Sequence, residues 1–321
     1  MTAPQRAMTS AEWGLLLLLS LLWGGSFFFI GVAVKQLPPL TIVFVRVSLA
    51  AALLWASAPL TGLSAKRIVG NAPELALLGL INNALPFALI VWAQTHLASG
   101  LASILNATTP MMTVIVAHMF TTSERLSLPK IVGAACGFVG VAGMIGPDVL
   151  FGHAGNAFAE GATLAAALSY ALASVFARRF RERGLAPIEV AAGQVTASCV
   201  LLAPLAFALD RPWSLPTPDG ATVAAVIALA VLSTAFAYIV YFRILAGAGA
   251  TNVVLVTLLA PVTSIALGAA VLGEQLGVRQ FVGLFLIAAG IAFIDGRLPE
   301  ALGPRAAKLR KAAFSPAARD S

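Results

Sequence analysis

The sequence predicts an all-α integral membrane protein of ten transmembrane helices, arranged as two inverted five-helix repeats. Three observations carry that prediction. Hydrophobic residues fill 60% of the 321 positions and charged residues only 10%, against about 25% charged in soluble domains, so a water-soluble fold could not cover its own apolar surface. The apolar runs recur along nearly the whole chain, each near the ~20 residues that cross ~30 Å of hydrocarbon as a helix; a barrel would instead show alternation over strands of about ten residues. Finally, landmark prolines, glycines and acids of the first half return in the same order in the second.

The first run extends from Trp13 to about Val34, behind Arg6 and Glu12. It exceeds the roughly 7 to 15 residues of a signal-peptide core and reads as a retained helix. The full set of spans is 13–34, 40–60, 73–93, 98–120, 128–146, 157–178, 188–209, 220–242, 250–272 and 278–295. Breaks fall at Pro38 and Pro39, at Lys66 and Arg67, in the loop from Gly146 to Asn156, at the arginine cluster from Arg178 to Arg183, and at Pro212, Pro216 and Pro218. Tight connections are expected near His96 and Gly247. The two repeats cover 13–147 and 157–296, and 297–321 is a basic tail whose Lys and Arg rest on anionic lipid.

Orientation follows from the basic residues. With the N-terminus inside, the cytoplasmic segments hold 16 of the 20 Lys and Arg, the outer segments hold Lys35, Arg211 and Arg279, and Arg46 lies within the second span. The positive-inside rule then places both termini in the cytoplasm of a bacterial-type inner membrane. The same distribution accounts for the formal charge of +7 and a pI near 10.0 without nucleic acid as a partner.

In the repeat, Pro110 answers to Pro261, Glu124 to Glu274, Gly133 to Gly283 and Gly140 to Gly290, with one single-residue gap. Five helices per half is an odd number, so equivalent loops face opposite sides of the membrane, which is the inverted-topology repeat of many secondary transporters.

With these landmarks in place, the chain resembles the EamA-type ten-helix members of the drug/metabolite transporter superfamily over residues 13–296. The matching residues are Leu22-Trp23-Gly24-Gly25-Ser26-Phe27-Phe28, Pro39 followed by Arg46, and Pro110 followed by Glu124-Arg125-Leu126; then Pro261, Leu272-Gly273-Glu274-Gln275-Leu276, Gly283 and Gly290. The resemblance implies a central cavity between the halves and export of amino acids or other small metabolites. One departure is Thr122-Ser123-Glu124, where the family usually has Leu-Gly-Glu.

Candidate contacts for a solute come from polar groups that hydrocarbon penalises. A proline inside a helix loses its own donor and displaces the carbonyl four residues earlier, so Pro86, Pro110 and Pro261 are expected to kink their helices and free the carbonyls of Asn82, Asn106 and Thr257. Such carbonyls can face a solute, or be satisfied by neighbouring hydroxyls such as Thr108 and Thr109. Asn82, Asn83, Asn106, Gln194, Tyr170, Tyr238 and Tyr241 need interior addresses; Asn82, Asn106 and Tyr238 lead as solute contacts, with Asn83, Thr257, Tyr170 and Trp23 behind them. Arg46 either snorkels to the outer interface or faces the pore. Gly133, Gly137 and Gly140, with Gly283 and Gly290, form small-residue faces for close helix contact. Glu124 and Glu274 are read as organisers of helix ends.

Cys136 and Cys199 lie in apolar spans without metal-ligand spacing, and His96, His118 and His153 stand alone, so neither metal nor cofactor is assigned. An intramembrane enzyme would need clustered acids or a nucleophile with its base; no two Asp or Glu lie within four positions of each other, and neither HExxH nor GxSxG occurs. A non-transporting receptor or assembly partner is disfavoured by the inverted repeat. Because Glu74, Glu160, Glu189, Glu274 and Asp295 fall near span ends, no carboxylate is available in mid-span for proton coupling. The expected solute is therefore neutral or zwitterionic and moves down its own gradient, or couples weakly through a group the sequence does not identify. The sequence leaves oligomeric state open.

Overall fold

The computed structural model describes residues 9–120, 128–145, 156–248, 253 and 255–294, which are helical apart from turns and short irregular connections. Each apolar run within them is a helix: α1 (Ser10–Ala33), α2 (Pro39–Ala56), α3 (Ala72–Ala93), α4 (Ser99–Phe120), α5 (Leu128–Ile145), α6 (Ala157–Glu182), α7 (Pro187–Asp210), α8 (Gly220–Ile244), α9 (Val256–Leu267) and α10 (Val278–Ile294). Seven of these, α1 to α4 and α6 to α8, are long and apolar enough to cross a membrane. The other three contribute shorter apolar stretches, Lys130–Gly143, Leu259–Leu272 and Val278–Phe293. Glu124, His153 and the tail lie outside the described residues.

Local chemistry sets the helix ends. A capping box opens α1, where the Thr9 amide donates to Glu12 Oε2 at 2.7 Å and the Glu12 amide donates to Thr9 Oγ1. Pro39 and Pro187 occupy the first turns of α2 and α7, where no intrahelical donor is needed. Asp219 caps α8 by accepting from the Thr222 amide at 2.7 Å, and Gln36 Nε2 donates to the same carboxylate. The Thr222 amide holds the Asp219 carboxyl below the usual carboxylate range. Gly184 and Gly273 end their helical segments at φ 70, a left-handed conformation that costs glycine nothing.

Two acids act at helix ends remote in sequence. Glu274 accepts from the Ser99 amide at 2.9 Å and the Gly100 amide at 3.3 Å, satisfying the N-terminus of α4. Asp210 accepts from the Thr41 amide at 2.6 Å at the start of α2. The expected role of Glu274 at a helix terminus is therefore met, on a helix other than its own. The tight connection at His96 is five residues, 94–98, between α3 and α4, with the imidazole tilted against Trp92 at 5.0 Å between ring centres.

The packing has a regular pattern. Helix α1 packs on α8 and α9, and α6 on α3 and α4; α2 packs on α8, and α7 on α3; α2 also meets α7, and α5 meets α10. The α5–α10 crossing depends on glycine. A Cβ on Gly140 would meet the Gly283 carbonyl oxygen, and a Cβ on Gly290 would meet the Gly133 carbonyl oxygen. Gly24 similarly abuts Ala260 and Thr263 where α1 crosses α9. Without side chains the backbones approach closely, which is how helices associate where lipid removes the hydrophobic drive.

Candidate functional site

Two helices leave α geometry in mid-course. In α3 a π turn spans Leu80–Ala84, and in α8 another spans Val231–Phe236. Such widened turns leave carbonyls without their usual partners and often mark functional places. The α3 turn packs on α7 and α6, and the α8 turn on α2 and α1.

From α2, Arg46 reaches the α8 turn. Its Nε donates to Thr234 Oγ1 at 2.8 Å, and its guanidinium carbon lies 3.7 Å from the centre of the Phe87 ring. The Thr234 hydroxyl in turn donates to the Leu229 carbonyl, five residues back. Arg46 is only 6% exposed, so it does not snorkel to an interface; the pore-facing alternative of the two is the one its burial agrees with. The Tyr170 and Tyr238 phenols stand within electrostatic range of it, and no carboxylate among the described residues pairs with it. A cation–π contact contributes about 2 kcal/mol when desolvated, against several kcal/mol for taking an ion out of water. Among the described residues the charge is met by neutral groups only, the Thr234 hydroxyl and the Phe87 ring.

Around this cation the side chains form a connected group. Tyr238 Oη donates to Asn83 Oδ1 at 3.0 Å, while Asn83 Nδ2 is buried without a partner among the described residues. Tyr170 packs edge-on against Phe87, with centroids 6.5 Å apart. Tyr238 stacks on Phe242, Phe242 meets Tyr241 at 5.2 Å, and Tyr241 meets Trp23 at 5.5 Å, so an aromatic chain links α1 to the Arg46 group. Ser233 Oγ, beside Thr234, is another buried polar atom without a partner among the described residues.

On α7, Gln194 stands seven residues after Pro187, as Arg46 stands seven after Pro39. Its Oε1 accepts from Asn82 Nδ2 at 2.9 Å in the α3 π turn. The two contacts therefore mirror each other: α2 to the π turn of α8, and α7 to the π turn of α3. One is cationic and the other neutral.

The expectation about the Asn82 carbonyl is corrected, and of the two outcomes left open for the Asn106 carbonyl the structure shows capture by a neighbouring hydroxyl. In α3 the Leu85 amide donates to the Leu80 carbonyl, a five-residue register, so the donor missing at Pro86 leaves the Ile81 carbonyl short rather than that of Asn82. Ser169 Oγ fills that gap with a 2.6 Å bond. In α4 the helix breaks at Ala107 and Thr108, and the Asn106 carbonyl is taken by Thr109 Oγ1 at 2.7 Å. What Asn106 leaves open is its side chain, whose Oδ1 is buried without a partner among the described residues, as is Ser103 Oγ three residues earlier on the same helix face. Helix α9 continues through Pro261 from Val256 to Leu267, with Thr257 half-buried in its first turn. Expected breaks at equivalent prolines thus take different forms in the two halves.

Of the sequence candidates, Asn83 and Tyr238 are in contact, Tyr170 joins them through Phe87, and Trp23 connects through the aromatic chain. Asn82 pairs with Gln194, while Asn106 and Thr257 lie on α4 and α9. Sequence reasoning missed Phe87 and Thr234, because a phenylalanine or threonine in an apolar run carries no signal of its own. Thr234 lies in the π turn of α8, and Phe87 in the α-helical turn that follows the π segment of α3.

Comparison with known proteins places these elements in a family. The model of the EamA-like transporter family matches the chain twice, over residues 12–146 and 157–295. The chain is 25% identical over 279 residues to the uncharacterized transporter YoaV of Bacillus subtilis, covering 85% of this chain and 92% of that one. It is 28% identical over 288 residues to the uncharacterized inner membrane transporter YedA of Escherichia coli K12, covering 88% and 89%. A protein of the same strain named probable amino-acid metabolite efflux pump is 27% identical over 293 residues, covering 88% and 94%. One crystal structure superimposes with a TM-score of 0.65 at 21% identity, over 89% of this chain and 98% of its own, a likeness of fold. With a family match in each half and apolar helices throughout, this chain is a membrane protein that belongs to the EamA-like transporter family.

Proposed function

We propose that the protein exports a small zwitterionic or neutral metabolite, such as an amino acid, across a bacterial inner membrane by alternating access between two inverted five-helix repeats. The observation that carries this reading is the mirrored pair of polar contacts, Arg46 with Thr234 and Gln194 with Asn82, each joining a second helix of one half to the π turn in the third helix of the other. The exchange of α1–α9 for α6–α4 and of α2–α8 for α7–α3, and the reciprocal approach of Gly140 to Gly283 and Gly290 to Gly133, support the same relation. Two halves related in this way offer two equivalent ways to open around one site. The name of the Escherichia coli efflux pump supports amino acids and outward movement.

In this reading all ten helices cross, with α5 and α10 pairing through their glycine faces. Both termini are cytoplasmic, the tail lies on lipid, and neither cofactor, metal nor nucleic acid takes part. Asn82, Asn83, Asn106, Tyr170, Tyr238, Thr257 and Trp23 line the path, and solute moves without proton coupling because no carboxylate lies at mid-span. The test is a thermal-shift screen of amino acids and small metabolites on purified protein, followed by flux of the best ligand in proteoliposomes. Saturable flux that an imposed proton gradient does not make concentrative is the expected result. Concentrative, gradient-driven uptake abolished by changing one helix-end acid would overturn the coupling, and absence of any flux would overturn the transport reading.

A further inference from the structure

Resting on the transport reading, we infer that the solute carries a carboxylate and that Arg46 is the residue that receives it. The cation is buried, held from behind by Thr234 and flanked by Phe87, Tyr170 and Tyr238, and its terminal nitrogens donate to no acceptor among the described residues. A guanidinium presents a planar fork that fits a carboxylate with two parallel hydrogen bonds. Using Nε on Thr234 fixes the plane of the fork and leaves the outer pair of nitrogens for the ligand. Asn83 Nδ2 and Ser233 Oγ, both buried and without a partner among the described residues, supply neutral donors in the same group.

The mirrored position supports the assignment. Gln194 occupies the place on α7 that Arg46 occupies on α2, and it already satisfies its oxygen with Asn82. A role in joining the halves is thus fulfilled by a neutral amide on one side. The charge on the other side serves something further. A single cation with neutral donors matches a monoanionic carboxylate; a phosphate dianion would need a second cation, and none accompanies Arg46 among the described residues.

The test uses full-length protein in nanodiscs, with common L-amino acids, their carboxamides and inorganic phosphate as probes, read by thermal shift and then by counterflow in proteoliposomes. Acids are expected to bind at least about 30-fold more tightly than their amides, as a charged hydrogen-bond pair implies. Arg46→Gln should erase that preference and Arg46→Lys should retain part of it. Thr234→Asp places a carboxylate beside the guanidinium; it should keep the melting temperature at or above wild type yet abolish acid binding, which distinguishes ligand capture from a packing role even where Arg46→Gln fails to fold. Amides binding as well as acids, a preference that survives Arg46→Gln, normal acid binding in Thr234→Asp, or binding of phosphate alone would each overturn the inference while leaving transport in place. A folded wild-type protein that binds and moves nothing in the panel would overturn both.

Discussion

Arg46 Nε and Thr234 Oγ1 stand 2.8 Å apart across 188 residues of sequence, tying α2 to the widened turn of α8. Thr234→Val keeps the shape and removes the acceptor, leaving a buried charged donor unpaired, at a cost of about 1 to 3 kcal/mol. Thr234→Ser retains the hydroxyl and should stay closer to wild type. Thermal unfolding of both variants in detergent checks the order.

Gly290 meets the Gly133 carbonyl, whereas Gly143 has open space where a Cβ would stand. Gly290→Ala should destabilise by about 1 to 3 kcal/mol through overpacking, and Gly143→Ala should be neutral or stabilising by up to about 1 kcal/mol through helix propensity. A chemical unfolding series on the pair would show whether the α5–α10 crossing depends on glycine as described.

Glu274 accepts from two amides at the start of α4. Glu274→Ala should cost about 0.5 to 2 kcal/mol, the range for losing a helix cap. Hydrogen exchange should rise first at Ser99 to Ala102, and solute specificity should be unchanged. An altered solute preference with unchanged exchange would place Glu274 in the path instead.

Asn106 Oδ1 is buried without a partner among the described residues, while its carbonyl is held by Thr109. Removing an unsatisfied group relieves a desolvation cost, so Asn106→Ala should leave stability within about 0.5 kcal/mol of wild type or raise it. If the oxygen accepts from the solute, binding should weaken about tenfold, the worth of one hydrogen bond. Calorimetric binding alongside a melting curve separates the two.

Sixteen basic residues on one side against three on the other call for cytoplasmic termini. Reporter fusions after Gly152 should read outside and fusions after Arg183 inside. The opposite pattern would reverse the orientation.

The sequence by itself determined the helices, because a transmembrane helix closes its backbone hydrogen bonds locally and its apolar length follows from bilayer thickness. The runs read as spans are helices wherever the structure describes them, and Pro39, Pro187 and Gly273 mark the ends that their own conformations favour. It also marked Asn83, Tyr170 and Tyr238 as polar groups needing interior partners, since hydrocarbon offers none. Only the tertiary structure decided which partners they have. Arg46 with Thr234 and Asn82 with Gln194 are separated by 188 and 112 residues, and nothing local encodes such meetings. Likewise, the proline rule located a gap in α3, but the π register and the Ser169 hydroxyl, 88 residues away, decided which carbonyl was left short and how it was filled. Packing also settled the fate of Arg46: its chain is long enough to snorkel or to turn inward, and only the arrangement of α2, α3 and α8 around it directs the charge to the interior.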